Sequence, residues 1–443
     1  MGKRLATDSL GSWRRTHYAD KLKQHLDGTE VIIFGWVQEI RDLGGIKFLQ
    51  LKDKSGLMQV TLPKRLVPKE VLEKCESLQT QSAIAVKGVV RKLNQAQREV
   101  EVIPNEIRTL GAAKHPLPID PKGKVPADLD IRLDNRILDV RRPEINAIFR
   151  IRHTLTQAVR DYLSKNGYVE ISTPKIVKTA VEGGAALFRV KYYGRNAYLA
   201  QSPQLYKEEL ISSFEKVFEI APYFRAETSH TRRHLSEFIS VDLEEAFTSC
   251  EDVMETLENL ISEAVSQMID LHSAELKLLH SKLVKPKVPF PRFTYEEILK
   301  KLESVRTKVE WGEDLSTPHL RTLGSIIHGF YFITDWPTKA KVWYIKPRED
   351  DPMLCEAFDL MYGWLEIASG GSRISDRSLL EKRLQSQGLD PEKFRHHLKV
   401  YDLGMPPHAG WGMGLDRLVQ IVVGKTNIRE VVLFPRDRSR IVP

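Results

Sequence analysis

Phe224-Arg225-Ala226-Glu227 and, one loop later, Arg233-His234-Leu235-Ser236-Glu237-Phe238 decide how this chain is read. Lys216 to Glu227 predicts one strand and Phe238 to Phe247 a second. The loop between them, 228–234, is rich in His and Arg and is expected to be mobile. Strand alternation puts Arg225 and Glu227 on one face of the first strand, and Phe238, Ser240, Asp242 and Glu244 on one face of the second. A guanidinium there can neutralise a nucleotide phosphate as its charge develops. Phe238 can stack on a base. Taken alone, Arg225 with Glu227 equally describes a surface ion pair, worth about 0–1 kcal/mol.

Three further stretches surround this pair of strands. In Gln201-Ser202-Pro203-Gln204-Leu205-Tyr206-Lys207, Ser202 reads as an N-cap and Pro203 as the first helical residue. Gln204 and Lys207 then share a helical face at a helix start, where a carboxylate ligand fits. In Phe358-Asp359-Leu360-Met361-Tyr362-Gly363-Trp364-Leu365-Glu366, a two-residue turn at Gly363-Trp364 pairs Glu366 with Met361 and makes Asp359 its diagonal neighbour. Two converging carboxylates need a cation, and hard oxygen ligands beside phosphates imply Mg²⁺; two solvated acids on an edge hairpin are the plainer alternative. Ser369-Gly370-Gly371-Ser372-Arg373 then offers close backbone approach and a guanidinium suited to a carboxylate. Near the C-terminus, Gly412-Met413-Gly414-Leu415-Asp416-Arg417 is a glycine-rich turn leading into a helix.

The N-terminal part reads differently. Short strands at 31–37, 46–52, 57–62, 83–90 and 99–103 predict a small five-stranded barrel over 1–110. In Ile46 to Lys52, Leu49 and Leu51 share one face, and Phe48 and Gln50 the other. An aromatic beside an amide suits base stacking with edge hydrogen bonds, and Arg41 and Lys47 suit phosphates; Phe48 as barrel core is the rival reading. Pro116, Pro118, Pro121 and Pro126 mark 111–135 as a linker or hinge. From 136 to 443 helices and strands mix. Pro143 to Asn166 has helical periodicity at Ile148, Ile151, Leu155, Val159 and Tyr162, with Gly167 ending it. The fold class expected is α+β, an OB-type barrel followed by an antiparallel sheet flanked by helices.

The chain has 443 residues with 42% hydrophobic and 28% charged content, ordinary for a globular protein. No apolar run of about 18 residues exists, so no membrane span is expected, and the basic, polar N-terminus lacks a signal-peptide core. Cys75, Cys250 and Cys355 form no CxxC pair, which argues against zinc and for a reducing cytoplasm. The net charge of +8 suits a polyanionic partner, although a solvated basic surface accounts for it as well.

In this order the segments resemble the class II aminoacyl-tRNA synthetases. The likeness is closest to aspartyl-tRNA synthetases of the archaeal and eukaryotic type. Residues 143–174, 216–247 and 410–436 match motifs 1, 2 and 3, and the interval 248–357 leaves no room for the large extra domain of the usual bacterial form. The stretch from Gly35 to Gly44 is similar to the start of that family's anticodon-binding domain. The resemblance implies that Arg41, Phe48 and Gln59 meet the tRNA anticodon. It implies ATP contacts at Arg225, Glu227, Arg233, His234, Phe238, Glu366, Gly414 and Arg417. Aspartate contacts are implied at Glu182, Ser202, Gln204, Lys207, Arg225, Asp242, Ser369 and Arg373, and Mg²⁺ ligands at Asp359 and Glu366. Arg225 and Arg417 carry the catalytic charge neutralisation. Lys207 and Arg373 would face the substrate carboxylate, and asparaginyl enzymes lack the lysine. His408 either approaches the substrate or is structural. Glu208 departs from the glutamine common after that lysine.

The activity this resemblance implies is aspartate activation with ATP and transfer to tRNA(Asp), in a cytoplasmic homodimer. tRNA(Asn) remains open as a second acceptor. The alternatives are an asparaginyl-tRNA synthetase, an ATP-dependent asparagine-forming paralogue, and a non-catalytic RNA-binding module. The barrel and hinge argue against the paralogue. The presence together of Arg225, Asp359, Glu366 and Arg417 argues against the last.

Overall fold

The computed structural model describes residues 7–95, 98–178, 187–227 and 231–443. The chain divides into two compact units at Pro118 and Ile119.

The first unit is a closed barrel of β1 (Glu30–Asp42), β2 (Ile46–Lys52), β3 (Leu57–Pro63), β4 (Ala83–Gln95) and β5 (Arg98–Gly111), in the order β1-β2-β3-β5-β4. Val31, Ile33, Leu49, Leu51, Val60, Leu62 and Val86 fill it without solvent exposure. Several strands outrun their apolar alternation. β1 pairs with β4 along Glu30–Trp36 and continues past a bulge between Val37 and Glu39 into Gln38–Asp42, where it pairs with β2 alone. Backbone pairing there needs no buried side chain, so apolar alternation does not mark it.

The second unit begins with residues expected to be linker. Asp120 already belongs to it, its carbonyl accepting from Arg142 Nε at 3.0 Å. The unit is built on β6 (Val169–Glu170), β7 (Ile176–Val177), β8 (Arg189–Tyr192), β9 (Arg195–Leu199), β10 (Lys216–Phe224), β11 (Glu237–Ala246), β12 (Arg292–Thr294), β13 (Phe330–Pro337), β14 (Leu354–Tyr362), β15 (Leu365–Ser372) and β16 (His408–Gly414). Eight form one sheet, β12-β13-β14-β15-β16-β11-β10-β6, and β7-β9-β8 form a small second one. The main sheet is antiparallel except at its ends, where β12 runs parallel to β13 and β6 to β10. Those end strands, β6 and β12, are only two and three residues long and enter after crossovers.

The helix Pro143–Lys165 opens with proline and ends at Asn166, followed by Gly167 at φ 84°. It packs with the helix Cys250–Leu271, whose start carries a Ser249–Asp252 capping box, against one face of the sheet. Val241, Leu243, Trp411, Met413, Phe358 and Leu360 point into that layer. Their neighbours one residue away therefore line the opposite face.

Three distant segments are tied at one carboxylate. Asp416 accepts from Arg152 of the long helix and, at 3.0 Å, from the Ile239 amide on β11.

Candidate active site

The face away from the two helices opens into a cavity of about 420 Å³. Ser240 and Asp242 of β11 and alternate glycines of β16 form part of its wall. The glycines have a steric cause. A Cβ on Gly412 would stand 2.9 Å from Asp242 Oδ1, and one on Gly410 would collide with the Glu244 carboxylate. The acids of β11 lie where the side chains of β16 are missing.

Around Arg417 the cavity is strongly charged. Arg417 Nη1 donates to the Glu366 carbonyl at 2.7 Å and to Glu366 Oε1 at 3.2 Å. Arg225 leaves the end of β10, so it and Glu227 lie beyond the strand predicted to carry them. Its amide donates to Ser236 O at 3.0 Å, and its guanidinium sits 5.5 Å from the Phe238 ring centre. Arg233 and His234 border the same space. Burial, with Arg417 and Arg233 nearby, pushes His234 down to about 4, so this imidazole is neutral at pH 7. Residues 228–230 of the loop lie outside the described residues.

The hairpin β14–β15 brings Asp359 and Glu366 to this space. Glu366 pairs with Met361 and Asp359 with Ser369, across a bulge between Leu360 and Met361. Burial raises the Asp359 carboxyl; Lys341 opposes the rise and the Glu366 charge adds to it. Burial acts in the same sense on Glu366, but Arg417, then Lys341, Arg225 and Arg233, hold it below the usual range. Lys341 Nζ donates to Asp359 Oδ2 at 2.6 Å and lies 3.8 Å over the Trp336 ring. Asp359 Oδ1 is buried and makes no hydrogen bond. Among the described residues no cluster of three or more metal-ligating side chains exists. Two carboxylates with one uncommitted oxygen fit Mg²⁺, which ordinarily completes its shell with phosphate and water.

The other end is built around Arg373. Its Nε and Nη2 reach Glu244 Oε1 and Oε2 at 2.8 and 3.2 Å. Burial opposes the Arg373 charge, and Glu244 more than offsets it, raising the pKa. Lys207 differs from expectation. Its ammonium does not line the cavity but lies behind it, 2% exposed, near Asp242 Oδ1 (3.4 Å), Glu244 Oε2 (3.2 Å) and two carbonyls (3.1 Å). All four distances exceed the 2.7–2.9 Å of a strong charge-assisted bond. The helix Gln204–Phe214 starts one residue later than predicted, with Pro203 at its N-cap. Ser202 is thus not spent on capping. Its Oγ and Gln201 Oε1 are buried without partners, on residues that border the cavity with Gln204.

The structure therefore brings together Ser202, Gln204, Arg225, Glu227, Arg233, His234, Phe238, Asp242, Asp359, Glu366, Ser369, Arg373, Gly414 and Arg417. Glu182 lies outside the described residues. His408 is buried, its Nδ1 donating to Pro406 O at 2.8 Å, and does not border the cavity. Lys341, Asp314 and Tyr344 also line the cavity and escaped the sequence reading. Lys341 and Tyr344 sit in the irregular stretch between β13 and β14, and Asp314 in the loop between the helices Tyr295–Ser304 and Thr317–Ile326, where neither periodicity nor a motif marks them.

In the barrel, register places Arg41 opposite Phe48, and Gln50 opposite Gln59, on one outer face. Phe48 is half-buried there while Leu49 and Leu51 fill the core, so the core reading of Phe48 does not hold. Arg41 Nε donates to Glu39 Oε1 at 2.7 Å, and Gln59 Nε2 to Glu101 Oε2 at 3.2 Å.

Residues 128–438 match the family model of class II tRNA synthetases (D, K and N). The chain belongs to the class II tRNA synthetases. Residues 31–110 match the OB-fold nucleic acid binding domain. This synthetase is 47% identical over 96% of its length to an aspartate–tRNA(Asp/Asn) ligase of Archaeoglobus fulgidus, covering 99% of that protein. It is 45% identical over 97% of its length to an aspartate–tRNA(Asp) ligase of Pyrococcus abyssi, covering all of it. The solved asparaginyl-tRNA synthetase of Pyrococcus horikoshii with asparaginyl-adenylate superposes with TM-score 0.91 at 34% identity, over 97% of this chain and 100% of that one. Aspartyl tRNA synthetase from Entamoeba histolytica gives 0.83 at 30%, over 96% and 92%.

Proposed function

We propose that this synthetase is an aspartate–tRNA ligase. It activates L-aspartate with ATP to aspartyl-adenylate and pyrophosphate, then transfers aspartate to the 3′ end of tRNA(Asp). The observation that carries this reading is the end-to-end likeness, at 44–49% identity, to relatives named as aspartate ligases. The cavity agrees with it at both ends.

In the first step an aspartate carboxylate oxygen attacks the ATP α-phosphorus in line, and pyrophosphate leaves. In the second the terminal ribose hydroxyl of tRNA attacks the aspartyl carbonyl, and AMP leaves. Neither step requires a protein nucleophile. Arg225 neutralises the α-phosphate as its charge develops, and Arg417 holds the terminal phosphate. Phe238 and Arg417 enclose the adenine, with Glu227, Arg233, His234 and Gly414 around the nucleotide. Ser202, Gln204, Asp242, Ser369 and Arg373 hold aspartate, with Lys207 behind them, and Glu182 belongs to the same set. Asp359 and Glu366 would hold Mg²⁺, which neutralises phosphate charge when bound.

Arg373 and Lys207 account for the choice of aspartate over asparagine. An amide facing Arg373 leaves a buried donor poorly paired, costing several kcal/mol, and Lys207 adds its positive charge from behind the wall. Arg41, Phe48 and Gln59 read the anticodon. A homodimer is supported by β6, a two-residue strand at the end of the sheet beside the long helix, with Val169 42% exposed. Cysteines 75, 250 and 355 are free thiols, which fits a cytoplasmic enzyme, and no described helix is long and apolar enough to cross a membrane.

The Archaeoglobus relative, named for both tRNAs, favours tRNA(Asn) as a second acceptor. The test is charging of tRNA(Asp) and tRNA(Asn) transcripts with labelled aspartate at equal enzyme and salt. Label on tRNA(Asp) alone means a discriminating enzyme. Label on both means a relaxed barrel. Label on neither sinks the aspartate reading and promotes the asparaginyl one.

A further inference from the structure

Glu208 is fully buried one turn after Gln204, on the same helix. Its Oε1 accepts from the Gln204 amide. Its Oε2 accepts from Tyr401 OH at 3.0 Å and lies 3.1 Å from His397 Nε2. His397 is itself buried, with Nδ1 3.3 Å from Glu209 Oε1. The carboxylate thus has its own cation on the side away from the cavity. An ionised carboxylate only accepts hydrogen bonds, so the Gln204 atom against it is the NH₂ group. The Gln204 oxygen is the end left to the cavity, which is also bordered by Gln201 and Ser202, whose Oε1 and Oγ are buried without partners.

We propose that Glu208 is a positioning residue that fixes the Gln204 amide with its oxygen toward the substrate, as an acceptor for the substrate's ammonium group. Aspartate has one hydrogen-bond donor, its ammonium, with three N–H bonds. Gln204, Gln201 and Ser202 all border the cavity and can supply acceptors to it. The proposal rests on the reading of aspartate as the substrate.

The test compares the wild type with Glu208→Met, which keeps the length but removes the acceptor for the Gln204 NH₂, so Gln204 is free to turn over. Aspartate-dependent pyrophosphate exchange gives KM for aspartate and for ATP. Competition by succinate, which lacks only the ammonium, gives its inhibition constant. The expected result is a KM for aspartate raised at least tenfold, with KM for ATP and succinate inhibition within twofold of wild type. An unchanged aspartate KM overturns the proposal, and so does equal weakening of aspartate and succinate. Tyr401→Phe removes one donor to Glu208 and little bulk. It is expected to move the aspartate-to-succinate ratio the same way by a smaller factor, and it decides the matter if Glu208→Met does not fold. Wild-type exchange on aspartate is the separate control. Its absence sinks the aspartate reading, whereas its presence with an unmoved ratio in both variants sinks only the role of Glu208.

Discussion

Arg373 and Glu244 form a bidentate ion pair with both side chains buried, Nε to Oε1 at 2.8 Å and Nη2 to Oε2 at 3.2 Å. Glu244 therefore sets the plane of the guanidinium and leaves its remaining edge for a ligand. Glu244→Gln breaks the pair. Breaking a buried ion pair from one side costs about 3–5 kcal/mol. The expected outcome is a lowered urea midpoint together with a fall in kcat/KM for aspartate. A variant that unfolds earlier but activates aspartate normally would separate Arg373 from substrate recognition.

Lys207 contributes through charge placed behind the cavity wall. Lys207→Met keeps the stem and removes that charge. Aspartate activation should drop about a hundredfold, equivalent to about 2.8 kcal/mol, while asparagine activation changes little. The ratio of pyrophosphate exchange on the two amino acids measures it. An unchanged ratio removes Lys207 from the specificity argument.

Arg417 is anchored by Glu366 and reaches the same charged end as Arg225. Loss of one preorganised donor to developing charge costs about 10²–10³ in rate. Arg417→Ala is expected to show that loss in single-turnover adenylate formation, with aspartate affinity nearly intact.

Asp359 offers one uncommitted oxygen beside Glu366. In Asp359→Asn, exchange should need at least tenfold more Mg²⁺ to reach half its maximum. Equilibrium binding of Mn²⁺ in the presence of ATP gives a readout independent of turnover, and the same weakening is expected there. An unshifted Mn²⁺ isotherm would rule Asp359 out as a ligand.

His397 links pH to stability. Burial opposes its charge, but Glu208 and Glu209 push its pKa up to about 9. A histidine raised on folding stabilises fully below its unfolded value, about 6.5, and loses that contribution as pH rises through 9. The stability difference between wild type and His397→Gln, from urea melts, should be largest at pH 6 and shrink steadily between pH 7 and 10. A flat difference would mean that the imidazole is neutral in the folded protein.

Most of the architecture could be read from periodicity and turn residues. The five-stranded barrel, the long helix with its Gly167 stop and the Glu366–Met361 pairing need only local rules. Harder to read were features set by tertiary contact. β1 extends over polar residues because backbone pairing with β2 carries it on after its pairing with β4 has ended. Ser202 carries a good cap signal but makes no capping bond, its hydroxyl being buried at the cavity. Lys207 points behind the wall because Asp242 and Glu244 occupy the space left by Gly410 and Gly412. Lys341 lies 18 residues before Asp359 in the chain, yet the two side chains touch across the site. Spacing along one strand or helix cannot reveal such a pair.

The bulge between Leu360 and Met361 has a consequence for what this hairpin tolerates. Glu366 and Ser369 are three apart on β15, and strict alternation would send them to opposite faces. The bulge absorbs the odd residue, and Ile367 and Ala368 both bury in the helix-side core as a result. Glu366 thereby keeps company with Asp359, while Ser369 and Arg373 stay in phase with the other end of the cavity. Deleting one residue there, a small loss in volume, would leave a sheet with the same strands in the same order. Yet only one of the two groups could still face the cavity. The site's two ends are thus joined by a count, and an insertion or deletion in this hairpin survives only if it restores the parity.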